Sequence, residues 1–256
     1  MTALLVIGCA LLGLLVGSFL NVVIVRVPEK QSVVRPRSRC PGCGTQLAER
    51  DNIPVVSWLL LQGRCRTCAM RIPVRYPLVE LATAVLFTAA ALRFGFDWAL
   101  PGYLWFFAAL LAVSAIDLER FLVPNRIVYP SLVASLVLLG AAALLGDDLD
   151  ALGRGLLGAV LASGALLVLA LISPRGMGMG DVKLALLLGL FLGWLSLGHV
   201  PLGLFLGFLL GSLVGIGLLV TRVRGRKDPL PFAPFLATGA VVAVLFGQSL
   251  IDWYRG

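Results

Sequence analysis

The sequence predicts an all-helical protein that crosses the membrane about eight times. Of its 256 residues, 59% are hydrophobic and 13% are charged, whereas about 25% are charged in a soluble domain. The mean hydropathy is +0.99, and most of the apolar runs reach the roughly 17–25 residues that a bilayer requires. The second and sixth runs are shorter, so we expect their helices to extend into flanking residues or to stop below the membrane surface. The predicted spans are 3–25, 78–92, 100–116, 127–145, 155–172, 182–195, 200–220 and 232–251.

The distribution of basic residues predicts the orientation of these spans. Of the 21 Lys and Arg residues, ten lie at 26–75, and two, two and four lie in the third, fifth and seventh connections. The opposite side has three. Because Lys and Arg are concentrated in cytoplasmic loops, we expect the four basic connections in the cytoplasm and both termini outside. The net charge of +8 then reflects this asymmetry, and it indicates anionic lipid headgroups rather than nucleic acid as partners.

The first span carries small and polar residues that indicate a helix neighbour. Gly13 and Gly17 are four positions apart, a spacing that allows two membrane helices to approach closely; lipid-facing or loosely packed glycines are the alternative. Asn21, near the cytoplasmic end of the span, predicts a hydrogen bond to another helix more than a direct role in a site.

The segment between the first two spans contains two Cys-x-x-Cys pairs. Cys40 and Cys43 are separated by 21 residues from Cys65 and Cys68, slightly more than the usual gap. Two such pairs provide the four thiolates of a tetrahedral structural zinc site, which leaves no open position for water. Disulfides are the alternative, but they are rare in the reducing cytoplasm where we expect this segment. A region with so little apolar core would depend on the metal to fold.

The chain is therefore predicted to have three parts. They are a first transmembrane helix at 1–25, a small cytoplasmic zinc-binding region at 26–76, and a seven-helix membrane core at 77–256.

Three acidic residues fall at the ends of predicted spans. Glu80 enters the second span, and a carboxylate there is costly unless it faces water or a partner; a position at the membrane interface is equally open. Asp117 ends the third span and Asp181 begins the sixth, so the predicted topology brings both to the cytoplasmic surface. Two carboxylates in one site hold a proton between them, so that one acts as acid and the other as base. The alternative is that each aspartate caps a helix or pairs with a nearby cation.

Flexible and restricted backbone flanks these carboxylates. Gly176, Gly178 and Gly180 alternate immediately before Asp181, which disfavours a regular helix and permits close approach of another backbone. Three prolines within 229–235 restrict the entrance to the last span. They indicate either the wall of a groove or simply the start of a helix.

Taken in order, these motifs resemble one family of membrane peptidases. Gly178-Met-Gly-Asp181 matches the GxGD loop of intramembrane-type aspartic proteases. The other matching segments are Gly17-Ser-Phe-Leu-Asn21, the two cysteine pairs, Tyr76-Pro-Leu-Val-Glu80, Ile116-Asp117 with Pro124-Asn125, and Pro231-Phe-Ala-Pro-Phe235. The whole chain therefore resembles the type IV prepilin peptidases, and the cysteine pairs resemble the bifunctional form of that family.

The resemblance implies a specific activity. Asp117 and Asp181 would be the catalytic pair that removes the basic leader of prepilins or type II secretion pseudopilins at the cytoplasmic face of the bacterial inner membrane. Gly178 and Gly180 would form a substrate-access loop. The new N-terminal amine would then be methylated with S-adenosylmethionine as donor, at a site that the sequence does not locate, and the zinc region is associated with this methyl-transfer form. A peptidase without methyltransferase activity, a proton-relaying transporter and a non-catalytic assembly scaffold are the alternatives.

Overall fold

The protein folds as a series of long α-helices. The computed structural model describes residues 2–173, 177–222, 225 and 229–255, and within them the only β-type pairing is at two isolated bridges. The helices are α1 (Thr2–Arg26), α2 (Val56–Leu60), α3 (Arg75–Phe94), α4 (Leu100–Arg120), α5 (Asn125–Leu145), α6 (Leu149–Ile172), α7 (Met179–Leu195), α8 (His199–Val220) and α9 (Ala233–Arg255).

The prediction of an all-helical membrane protein is confirmed. Each of the eight predicted spans corresponds to one long helix, and among the described residues seven of these helices are long and apolar enough to cross a membrane. The eighth, α7, has 17 residues, which is the lower limit of what a bilayer requires. Both short apolar runs extend into flanking residues as expected, to 20 residues in α3 and to 17 residues in α7.

The chain divides into two compact units, Met1–Phe96 and Asp97–Gly256. In the first, α1 packs against α3. A Cβ atom added at Gly13 would lie 2.6 Å from Ala84 Cα, and one at Gly17 would lie 2.6 Å from Glu80 Cα. The Asn21 amide donates a 3.0 Å hydrogen bond to the Tyr76 carbonyl. The predicted close approach and interhelical hydrogen bond are therefore both present, and they join α3 to α1.

In the second unit, α7 is the most enclosed helix. Eleven of its 17 residues are buried, and it contacts α4, α5, α6, α8 and α9. The closest of these contacts is with α6, where glycines on both helices let the two backbones approach. A Cβ atom at Gly158 would lie 2.9 Å from Gly193 Cα, and one at Gly189 would lie 2.7 Å from the Ala162 methyl group. Because lipid tails are as apolar as side chains, such close packing is a main source of helix association in membranes.

This packing predicts the effect of filling the α6–α7 contact. We expect Gly158→Val to destabilise the protein by about 1–3 kcal/mol, because the added atoms would force the two helices apart. The measurement is thermal unfolding of the detergent-purified protein. Gly164 is the matched control, since it lies on the same helix with no heavy atom within 4 Å of its added Cβ. Equal stability losses in Gly158→Val and Gly164→Val would contradict this account.

Candidate active site

Asp117 and Asp181 come together in the second unit. Asp117 lies in the last turn of α4 and Asp181 in the first turn of α7. These two helices touch, and Gly180, the neighbour of Asp181, packs against Val123, which follows α4. Both residues are buried, with exposed fractions of 5% and 8%. The structure therefore brings the two sequence-predicted aspartates into one site, which we call the aspartate pair.

The start of α9 completes the surroundings of the aspartate pair. The Ala233 N–H, at the first residue of α9, donates a 3.1 Å hydrogen bond to Asp117 Oδ2. The first backbone N–H groups of a helix have no partner within it, so this bond satisfies one of them and orients the carboxylate. α9 also contacts both α4 and α7. Sequence reasoning missed this contact: the prolines indicated a helix start, and nothing in the pattern showed which side chain would meet it.

Two of the alternatives predicted for Asp181, the N-cap of α7 and a pair with Lys183, involve other residues. Gly178, not Asp181, is the N-cap residue of α7, so Asp181 lies within the first turn. The Lys183 ammonium donates a 3.2 Å hydrogen bond to the Asn125 side chain and lies 5.7 Å from the centre of the Tyr129 ring. Lys183 thus ties the start of α7 to the start of α5.

The glycines before Asp181 have different surroundings. A Cβ atom at Gly180 would lie 2.7 Å from Val123 Cβ, in the connection between α4 and α5. At Gly178 the nearest atom would be Asp181 Oδ2, at an ordinary 3.6 Å. Gly180 is therefore required for packing at the site, and the substrate-access role of Gly178 and Gly180 stays a prediction. Gly176 lies outside the described residues, as do Arg175 and three basic residues of the last connection, Arg224, Arg226 and Lys227.

In the first unit, the four predicted metal-binding cysteines form one cluster. The Sγ atoms of Cys40, Cys43, Cys65 and Cys68 all lie within 4.8 Å of one another, and Cys40 Sγ is 3.7 Å from Cys68 Sγ. Zinc–sulfur bonds of about 2.3 Å in a tetrahedral site place sulfur atoms about 3.8 Å apart. The cluster thus has the dimensions of a four-thiolate metal site.

The two cysteine pairs fold as two copies of one turn. In the first, the Cys40 N–H donates to the Thr45 carbonyl, and in the second the Cys65 N–H donates to the Met70 carbonyl. The bridges Arg39–Gln46 and Arg64–Arg71 close both turns at the same offset. Each turn therefore presents two sulfur atoms from a backbone that is already hydrogen-bonded.

Polar contacts support this cysteine cluster. The Thr45 hydroxyl, 3.3 Å from Cys43 Sγ, is the main cause that lowers the pKa of Cys43 to about 6, whereas the pKa of Cys68 is raised to about 12 by desolvation and by the other three thiols. The proton that Cys43 loses most easily is therefore retained elsewhere in the cluster when no metal is bound. Arg66 forms a 2.7 Å ion pair with Asp51, and this bond holds the pKa of Asp51 below its ordinary value. These contacts connect the second turn to the 3₁₀ helix Glu49–Asn52.

Glu80 is buried and has hydrogen-bond partners. Its side chain is buried, and Oε2 accepts a 2.7 Å hydrogen bond from the Val55 N–H. The Ser18 hydroxyl bonds to the same carboxylate. Val55 has φ 60° and ψ −50°, and the Val56 N–H donates to the Pro54 carbonyl, which defines a classic γ-turn, a rare and strained conformation. Glu80 therefore joins α3, α1 and a strained turn before α2.

Comparison with known proteins places this arrangement in a family. Residues 11–94 match the bacterial peptidase A24 N-terminal domain, and residues 104–219 match the type IV leader peptidase family. A relative from Aeromonas hydrophila is 39% identical over 95% of this chain and 91% of its own length. The chain belongs to the type IV leader peptidase family. The two family matches divide the chain at the same place as the two compact units.

Other relatives in this family agree with that assignment. Proteins from Bacillus subtilis and Pseudomonas aeruginosa are each 38% identical, over 94% and 95% of this chain and 94% and 91% of their own lengths. All three relatives are named prepilin leader peptidase/N-methyltransferase. The resemblance predicted from the motifs is thereby confirmed. No solved structure matches the chain significantly.

The contacts of Glu80 predict how the strained turn responds to mutation. We expect Glu80→Ala to destabilise the protein by about 1–3 kcal/mol, because the Val55 N–H loses its acceptor. Glu80→Gln retains an acceptor oxygen and should cost less. The measurement is thermal unfolding in detergent, and an alanine variant as stable as the wild type would show that the bond contributes nothing.

Proposed function

We propose that this protein is a membrane aspartic endopeptidase that removes the basic leader from type IV prepilins or pseudopilins and then N-methylates the new N-terminal residue. The observation that supports the peptidase most directly is the burial of Asp117 and Asp181 together at the ends of α4 and α7. Two carboxylates in one enclosed site are suited to acid–base chemistry on a peptide bond.

In the proposed cleavage, the aspartate pair holds one proton. The ionised carboxylate takes a proton from water while the water oxygen bonds to the scissile carbonyl carbon. The protonated carboxyl group hydrogen-bonds to the carbonyl oxygen. When the C–N bond breaks, the leaving amine receives a proton from the pair, so no covalent enzyme intermediate is required. The Ala233 N–H, by orienting Asp117, would hold one of the two carboxyl groups in place.

The second activity is supported by the names of the relatives and by the cysteine cluster. S-adenosylmethionine, as methyl donor, supplies a methyl group from its sulfonium sulfur to the unprotonated amine nitrogen, leaving S-adenosylhomocysteine. The protein must bind the N-terminal ammonium, accept its proton and exclude water from the reacting atoms. A peptidase that lacks this second activity is the narrower alternative, and an assembly scaffold without catalysis is the broader one.

The four cysteines would bind a structural zinc ion in this protein. Four thiolates at the observed spacing fit tetrahedral zinc and leave no position for a substrate water. The ion would join the two turns at 39–46 and 64–71, which lie in a region with few buried apolar side chains. Its role in the proposed function is therefore to fix this region rather than to cleave peptide bonds.

The proposed location is the bacterial inner membrane, with the aspartate pair facing the cytoplasm. The concentration of Lys and Arg in the same four connections supports this orientation. The basic leader of a prepilin would reach the site from the cytoplasm while its apolar segment stays in the bilayer. Anionic lipid headgroups would be the partners of the basic connections, and no nucleic-acid partner is proposed.

The proposed peptidase predicts the effect of removing either acid. We expect Asp117→Asn and Asp181→Asn each to reduce leader cleavage by about 10²–10⁴-fold, the contribution of general acid–base catalysis. The measurement is the mass of a co-expressed prepilin, which also shows whether one methyl group has been added.

Asp150→Asn is the matched control for these variants. Asp150 is exposed in the first turn of α6, so its variant should cleave as the wild type does. Wild-type cleavage by Asp117→Asn or Asp181→Asn, in protein inserted at normal levels, would contradict the catalytic assignment and favour the scaffold.

The proposed zinc site predicts the metal content. We expect about one zinc ion per chain in the purified wild type and a strong reduction in Cys43→Ala, because three thiolates no longer complete the tetrahedron. Elemental analysis by mass spectrometry provides the measurement. Cys9→Ala is the control, since Cys9 is buried in α1 away from the cluster. A metal-free wild type would refute the site.

A further inference from the structure

A cavity in the first unit has no role in the functions described so far. It lies between α1 and the 33–54 segment and has a volume of about 390 Å³, which is within the range of small-molecule sites. Its lining includes none of the four clustered cysteines. The residues that line it include Phe19, Val22, Arg26, Arg37, Glu49 and Pro54.

Hydrogen bonds hold the first side of this cavity in place. The Arg26 guanidinium donates a 3.0 Å bond to the Ser32 carbonyl, and the Ser32 hydroxyl accepts from the Val34 and Arg35 N–H groups. The turn that carries Val34 and Arg37 is therefore attached to the end of α1. A ligand would meet a preformed wall there, which reduces the entropy that binding must offset.

The opposite side is fixed by buried polar groups. Ser57 is buried, donates to the Arg50 carbonyl and accepts from the Ile53 N–H. Pro54 precedes the strained Val55, whose N–H is bonded to the buried Glu80. Strained backbone persists where its surroundings enforce it, and it is found preferentially at ligand sites. The wall formed by 49–54 is therefore held in place by hydrogen bonds that do not involve the aspartate pair.

The cavity lining combines three kinds of chemistry. Phe19 and Val22 supply an apolar surface on α1, Arg26 and Arg37 supply two cations, and Glu49 supplies a carboxylate. A ligand that matches it carries an aromatic or apolar part, an anionic group for the arginines and a cationic group for the glutamate. A phosphate group alone would leave Glu49 facing a like charge.

We propose that this cavity binds the S-adenosylmethionine used in the methyl transfer, an inference that rests on the methyltransferase part of the proposed function. S-adenosylmethionine has an adenine ring, a carboxylate, an ammonium and a sulfonium, and these are the groups that the lining can accommodate. The arginines take the carboxylate, Glu49 takes a cationic group and the α1 surface takes the ring. The site thereby lies in the same compact unit as the cysteine cluster.

The test is direct binding of S-adenosylhomocysteine and S-adenosylmethionine to the purified full-length protein in detergent, measured by titration calorimetry without prepilin. Val22→Trp fills the cavity, and we expect at least about a tenfold loss of affinity for a ligand excluded from its pocket. For Arg37→Gln we expect about a tenfold loss, the effect of removing one charged hydrogen bond.

Matched variants control for helix and charge effects. Val6 is half-buried on α1 like Val22 but does not line the cavity, and Arg39 is exposed like Arg37 but does not line it either. Val6→Trp and Arg39→Gln should bind both ligands within about twofold of the wild type. All four variants should still cleave prepilin. If Val22→Trp fails to insert into the membrane, the comparison of ligand affinity between Arg37→Gln and Arg39→Gln tests the proposed site.

The outcomes separate this inference from the proposed function. If Val22→Trp and Arg37→Gln both bind these ligands as tightly as the wild type does, the proposed site is wrong, but the proposed methyltransferase activity is unaffected. A wild type that cleaves prepilin but neither binds these ligands nor adds a methyl group refutes the methyltransferase itself. Loss of co-purified phosphatidylglycerol from the two cavity variants, with ligand binding retained, would assign the cavity to an anionic lipid and also overturn the proposal.

Discussion

The hydrogen bond from the Ala233 N–H to Asp117 is the interaction on which the rest of the second unit depends. A carboxylate buried at the end of a membrane helix is costly without a partner, and the first N–H groups of a helix are equally in need of an acceptor. One 3.1 Å contact satisfies both. It also ties the start of α9 to the end of α4, so the last helix begins beside the group that the proposed chemistry uses.

In the first unit, too, a buried carboxylate accepts a hydrogen bond from a backbone N–H group. Glu80 is buried in α3 and accepts from the Val55 N–H, at the residue that precedes α2. In both units a proline lies next to the donor, Pro54 in one and Pro234 in the other. Proline removes a competing N–H and restricts its neighbours, so the donor is presented in a defined direction. Each buried acid is thus bound by a backbone N–H group. Unlike a lysine ammonium, this group does not exchange its proton with the carboxylate.

Most of the fold could be predicted from the sequence because the thickness of the bilayer fixes the length of each apolar run. The metal cluster could be predicted because each Cys-x-x-Cys pair shows the spacing of its two ligands within four residues. Asp117 and Asp181 could be placed near one another because both lie at span ends on the same predicted side. The contacts that complete the site could not be predicted, since they depend on which helices are neighbours. Ala233 next to Asp117, and Val123 against Gly180, join elements that no sequence pattern pairs.

Gly180 shows how packing and chemistry constrain the same residue. The sequence predicts that its missing side chain gives a substrate backbone access, and in the fold a Cβ atom added there would lie 2.7 Å from Val123 Cβ. If a side chain were added at Gly180, α7 would move away from the α4–α5 connection, and Asp181 would move with it because the two residues are adjacent in the same helical turn. A shift of about 1 Å is enough to impair acid–base catalysis strongly. The glycine is therefore required to position the carboxylate, whether or not a substrate backbone also approaches there.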